Sequence, residues 1–196
     1  ALFFEFYNLC VYFLDNIKVI NDAGGIFITV NFITNGTIYI DMTQYKDFVH
    51  MQISFDGWKD VQNISRPFKN GGETYDIVLS NIKKYFIDDI DIVIHSVIVS
   101  YFKWKKSFNN FINDLPSSIP IEIKYVYGKE RNIFRSWINI INTCLAMLFA
   151  SKHNVSHKQS SASNVCSAGI RHLSIDLNTA KLYYCQECIF YNETDK

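Results

Sequence analysis

The chain has 196 residues, enough for one ordinary domain or for a domain of roughly 140 residues with a small module attached. Hydrophobic residues make up 48% and charged residues 19%, which excludes a mainly disordered chain. Lysine plus arginine and aspartate plus glutamate both total 19, so no global field draws nucleic acid or an anionic membrane to the surface.

The first residues are Ala1-Leu2-Phe3-Phe4 rather than methionine, which predicts a processed, trimmed or partial chain. Leu9 to Leu14 is wholly apolar, but Glu5, Asp15 and Lys18 bracket a run shorter than the ~18 residues a membrane span needs. It reads as a buried element, and it lacks the basic start and small-residue cleavage site of a signal peptide.

The β-branched runs Ile26 to Ile33 and Thr37 to Ile40 flank Asn35-Gly36, a pair suited to the positive φ angles of a tight turn. This predicts an N-terminal β-hairpin over 26–42. A third strand is expected at Phe48 to Phe55, where Val49, Met51, Ile53 and Phe55 alternate with His50, Gln52 and Ser54. After a loop marked by Pro67 and Gly71-Gly72, a helix is expected over Tyr75 to Phe86, capped by Thr74, with Ile77, Val78, Ile82 and Tyr85 near helical spacing.

Ile90 to Val99 reads as a buried strand, Lys103 to Asn113 as an amphipathic helix stopped before Pro116, and Ile121 to Tyr127 as another strand. The basic patch Lys103-Trp104-Lys105-Lys106 reads as a solvated helix face rather than as an aromatic that stacks on a base. Strands followed by alternating helices and strands predict an α+β domain with a mixed or antiparallel sheet. Asn132 to Ala150 then reads as an apolar helix. The serine-rich stretch Ser151 to Ser167 marks a loop or boundary, and Ile170 to Tyr191 holds two short strand-like runs. The expected division is an α+β domain at 1–143 and a small module at 144–196.

Cys185-Gln186-Glu187-Cys188 has the spacing that lets two thiolates meet one tetrahedral zinc ion. His153, His157 and His172, with Cys144 and Cys166, supply the remaining candidate ligands. The order of Arg171-His172-Leu173-Ser174-Ile175-Asp176-Leu177 and Leu182-Tyr183-Tyr184-Cys185-Gln186-Glu187-Cys188-Ile189-Phe190-Tyr191 resembles the end of a ubiquitin-protease-type zinc finger, as found in co-activator-complex deubiquitinases. Cys144-Leu145 and Lys152-His153-Asn154-Val155-Ser156-His157 are similar to an earlier part of that module. The family's middle Cys-x-x-Cys and early Cys-x-His are absent, so the resemblance implies a degenerate finger. It implies zinc at Cys185, Cys188, His172, His157 and His153, and a non-catalytic module that docks on ubiquitin or a ubiquitin-linked complex.

Two other readings compete. Asn142-Thr143-Cys144 before an apolar run resembles the cysteine box of papain-like deubiquitinases, with Cys144 as nucleophile at a helix start, His172 as its partner and Asn139 as oxyanion donor. Alternatively, sequons at Asn35, Asn63, Asn154 and Asn192 suit a secreted or surface glycoprotein, in which Cys185 or Cys188 pairs with Cys166 or Cys10. The odd count of five cysteines, three of them late in the chain, favours a reducing intracellular compartment, cytoplasmic or nuclear.

Overall fold

Four short runs rich in β-branched residues become the strands of one sheet in the computed structural model, which describes residues 2–25, 27–124, 133–152, 174–176 and 181–183. The chain divides into two compact units. One comprises Ala1–Tyr12 with Gln159–Lys196, and the other Phe13–Lys158.

The apolar run near the start lies in helix α1, Leu2–Ala23, where Cys10, Leu14 and Ile17 are buried at helical spacing while Leu9 and Tyr12 are exposed. Gly24 and Gly25, both at positive φ, end the helix. Asn21 then turns the chain: its side chain accepts from the Ile28 N–H at 2.7 Å and donates to the Ile28 carbonyl at 2.9 Å.

The larger unit carries strands β1 (Val30–Thr34), β2 (Val49–Ser54), β3 (Asp91–Val97) and β4 (Ile121–Lys124). They pair in the order β1-β2-β3-β4, and every pairing is parallel. This corrects the expected mixed or antiparallel sheet with an N-terminal hairpin. Asn35-Gly36 does turn the chain, with Gly36 at φ +73°, but the residues that follow leave the sheet. Ile40 donates its N–H to the Tyr85 hydroxyl at 3.0 Å, and Tyr39 donates its hydroxyl to Asp88, so 37–40 runs along a helix instead of folding back on β1. A side chain at position 36 would sit 2.7 Å from Ile53 Cγ2 and 3.0 Å from Val78 Cγ1, so glycine serves close approach as well as the turn.

Parallel neighbours require crossovers, and helices supply most of them. Helices α2 (Lys59–Ser65) and α3 (Tyr75–Ile87) link β2 to β3, α4 (Tyr101–Asp114) links β3 to β4, and α5 (Ile133–Lys152) follows β4. A 3₁₀ turn at Thr43–Tyr45 lies between β1 and β2. The expected strands at 48–55, 90–99 and 121–127 and the helices at 75–86, 103–113 and 132–150 correspond to these elements, residues 125–127 lying outside the described ones. Of the residues expected on the apolar face of α3, Val78, Ile82 and Tyr85 are buried and Ile77 is exposed.

Alternate strand residues face one hydrophobic cluster. Met51, Ile53, Ile92, Ile94, Ile121 and Ile123 pack there with Val78 and Ile82 of α3 and with Trp104, Phe108 and Phe111 of α4. The unreversed strand order has no switch point of the kind a doubly wound sheet carries. In the smaller unit, β5 (Ser174–Asp176) and β6 (Lys181–Tyr183) pair antiparallel, where two strand-like runs are expected. Helix α5 runs unbroken through the expected domain boundary at 143/144.

Candidate functional site

In parallel α/β architectures, ligands bind beyond the carboxyl ends of the strands, where loops carry side chains past the sheet. At the end of β2, Ser54 is followed by Phe55-Asp56-Gly57. The Asp56 carboxylate is buried and holds three donors: Val97 N–H on Oδ1 at 3.1 Å, with Ser65 Oγ and Arg66 Nε on Oδ2, each at 2.8 Å. Its backbone is held too, because Asp56 N–H donates to Gln62 Oε1 at 2.9 Å and Ser96 Oγ donates to the Asp56 carbonyl at 2.8 Å. The ends of β2 and β3 and the whole of α2 are thereby tied to one carboxylate.

Arg66 is the more exposed partner of that pair, with 34% of its side chain accessible. Only its Nε is engaged by Asp56, so the guanidinium is fixed in orientation while its terminal N–H groups retain the fork suited to a carboxylate or phosphate. The neighbouring loop is held by several hydrogen bonds. Thr74 makes no side-chain cap on α3; Asn63 Oδ1 accepts the N–H groups of Thr74 and Tyr75 at 3.1 and 2.9 Å instead, and Thr74 Oγ1 donates to the Arg66 carbonyl at 2.7 Å.

The sheet face opposite the hydrophobic cluster carries most of the strands' polar residues, with Ile33, Val93 and Val97 interspersed. Register places Asn31, His50 and Asp91 in one row, Ser54, His95 and Glu122 in another, and Gln52 beside Val93 between them. His95 Nε2 lies 2.7 Å from Glu122 Oε2, with side chains 18% and 13% exposed. His50 Nδ1 lies 2.5 Å from Asp91 Oδ2 in a more open setting. Both pairs join directly cross-strand residues. Sequence reasoning missed both because each partner is distant in the chain; the only local trace was histidine alternating with isoleucine and valine in β2 and β3.

A separate cleft of about 470 Å³ is lined by Trp58, Lys59, Asp76, Leu79, Asn110, Asn113 and Asp114. Its polar groups are mutually paired. Asp114 accepts from the Tyr75 hydroxyl at 2.6 Å and from Trp58 Nε1 at 3.1 Å, and Lys59 lies 2.8 Å from Asp76. Burial first, and then the Asp114 hydrogen bond, push the Tyr75 hydroxyl far above the ordinary phenol range.

The residues singled out by sequence fall elsewhere. Cys144 is exposed within the 20-residue helix α5 that begins at Ile133, not at a helix start, and Asn139 lies on the same helix. The neighbouring Asn142 has a structural role, accepting the Tyr101 N–H and donating to the Val99 carbonyl, both at 3.3 Å. His153, His157, Cys166, His172, Cys185 and Cys188 lie outside the described residues. Among the described residues no three His, Cys, Asp or Glu side chains converge as metal ligands. Trp104 is buried against Phe108 and Phe149, so it is not a platform for a base. No helix among the described residues is long and apolar enough to cross a membrane.

No protein-family model and no curated protein matches the chain. Solved structures do match. Native anSMEcpe with bound AdoMet and Cp18Cys peptide superposes with a TM-score of 0.57 at 15% identity, covering 83% of this chain and 52% of that one. Native anSMEcpe with bound AdoMet gives a TM-score of 0.48 at 14% identity, covering 68% and 40%. The chain thus spans about half the length, 52%, of the solved protein it matches over its greater part. At this identity the likeness establishes the fold.

That fold corrects the functional expectation. A non-catalytic, zinc-binding module of the ubiquitin pathway does not stand, because most of the chain has the fold of a protein solved with AdoMet and the described residues contain no zinc-type ligand group. Zinc as the cofactor and ubiquitin as the partner are withdrawn with it; Cys144 lies inside α5 and lacks the helix-start position that the hydrolase alternative requires, and Cys166, Cys185, Cys188, Asn154 and Asn192 of the glycoprotein alternative lie outside the described residues.

Proposed function

We propose that this chain is part of an AdoMet-dependent enzyme acting on a peptide or protein, with AdoMet held at the carboxyl ends of β1 to β4. The observation that carries this reading is the Asp56-anchored Arg66 just past the end of β2, in a fold shared with an AdoMet-bound protein. AdoMet presents an α-amino carboxylate, a sulfonium and an adenosine. The donor set fits, because a guanidinium whose Nε is occupied keeps its outer edge for the carboxylate, and Ser54 adds a hydroxyl at the same strand end.

Bound AdoMet supplies an activated sulfonium whose carbon–sulfur bonds are the reactive ones. This chain's residues bind and orient it: Asp56 fixes Arg66, Gly36 lets the β1 turn pack against Ile53, and the Asn63 cap holds the loop between α2 and α3. For the peptide, Phe102, 77% exposed, and Val99 present apolar surface at the junction of β3 and α4. The matched structure carries a Cp18Cys peptide, which supports a peptide as the substrate class. An intracellular, reducing compartment suits both AdoMet and the five cysteines.

The test is AdoMet binding by calorimetry on the chain and on Arg66→Gln, which retains a donor for Asp56. Loss of the charged fork is expected to weaken AdoMet at least about tenfold, the worth of one charge-assisted contact. Equal affinity in the variant, or no AdoMet binding by the folded chain, would overturn the reading.

A further inference from the structure

On the covered face of the sheet, the central positions are isoleucines: Ile53, Ile94 and Ile121 stand in one row. One residue along, on the opposite face, the corresponding row is Ser54, His95 and Glu122. A mostly buried ion pair is no more stabilising than well-packed apolar residues of similar volume, so fold stability alone does not account for His95 and Glu122. The pair lies on the sheet face opposite the apolar cluster, in the row of Ser54, the last residue of β2.

We infer that the His95–Glu122 pair is the cation subsite of the proposed AdoMet site, Glu122 supplying the counter-charge to the sulfonium and His95 setting the net charge of the pair. This deepens the AdoMet reading and rests on it. The order of charges in the protein matches the ligand. Asp56, which anchors the Arg66 guanidinium, lies two residues past Ser54, beyond the end of β2. Along the methionyl portion of AdoMet the carboxylate comes first and the sulfonium next. The cation at the strand end therefore serves the carboxylate, and the acid one row further in serves the sulfonium.

His95 Nε2 is within 2.7 Å of Glu122 Oε2. With His95 protonated the pair is neutral, and with His95 neutral it carries one negative charge. Attraction for a sulfonium therefore grows as pH rises through the imidazole titration. Among the described side chains, the other charged groups on this face of the strands are the half-exposed His50–Asp91 pair, toward the strand starts. On β2 and β3 the nearest same-face positions to His95 are Ser54, Gln52, Val93 and Val97, which carry no charge. The open His50–Asp91 pair is screened by solvent.

The experiment compares AdoMet with S-adenosylhomocysteine, which lacks the sulfonium charge, by calorimetry at about pH 8 and about pH 5.5, near-complete and partial deprotonation of an ordinary imidazole respectively bracketing its titration. The chain is expected to prefer AdoMet about tenfold at the higher pH, as expected for one desolvated charge contact, and less at the lower. Glu122→Gln is expected to bind S-adenosylhomocysteine as before and to lose the preference at both pH values. His95→Asn is expected to keep the preference at the lower pH, which tests the pair even if Glu122→Gln fails to fold. An undiminished preference in folded Glu122→Gln, or an unchanged pH dependence in His95→Asn, overturns the cation subsite while AdoMet binding itself stands. Failure of the folded chain to bind either compound overturns the AdoMet reading itself.

Discussion

The two faces of the parallel sheet differ in what holds them. On one, Met51, Ile53, Ile92, Ile94, Ile121 and Ile123 meet helix side chains in a continuous apolar cluster. On the other, the same strands present Gln52, Ser54, His95 and Glu122, with cross-strand ion pairs in place of apolar packing. A period-two strand permits this division of labour: one face stabilises the fold and the other is available for ligand chemistry. The difference predicts that mutations will separate stability from binding according to which face they touch.

The largest effect is expected on the covered face. Ile94→Ala empties space at the centre of the cluster, and a loss of about 3 kcal/mol is expected in urea unfolding. A loss under about 1 kcal/mol, the range of a surface substitution, would show that the cluster is not the structural side of the sheet.

Tyr75 gives a pH test of the same side. Its ring stacks on Phe55 with centroids 5.1 Å apart, and its hydroxyl is held by Asp114. Because its folded pKa is raised above the ordinary value of 10.0, its contribution is complete below that value and is lost as pH rises toward the folded one. Thermal unfolding followed between about pH 9 and about pH 11 should therefore show a steeper alkaline loss in the parent chain than in Tyr75→Phe. Parallel curves would remove Tyr75 from the alkaline transition.

The smallest effect belongs to the polar face. His50 and Asp91 are 41% and 49% exposed, so after solvent screening His50→Ala is expected to change stability by about 0.5 kcal/mol or less. A change as large as that of Ile94→Ala would erase the distinction between the faces.

Much of the local structure was legible in the residues. Val49, Met51, Ile53 and Phe55 announce a strand by alternation, and Val78, Ile82 and Tyr85 a helix by their spacing. The hairpin expected at 26–42 failed because Asn35-Gly36 specifies a turn but not its partner; Tyr85 and Asp88, about 45 residues on, compete for the chain that follows. The candidate site was almost illegible. Asp56 and Arg66 are ten residues apart and carry no motif that marks their pairing, while His95 and Glu122 meet only across a strand register.

The sequence by itself determined where the main strands and helices form, since apolar periodicity and turn residues act over a few positions. Only the tertiary structure decided that the strands run parallel and in chain order, because strand direction depends on crossovers longer than any local pattern. The same pairing set Ser54 beside His95 and His95 beside Glu122, so the polar face exists only once β2, β3 and β4 are in register.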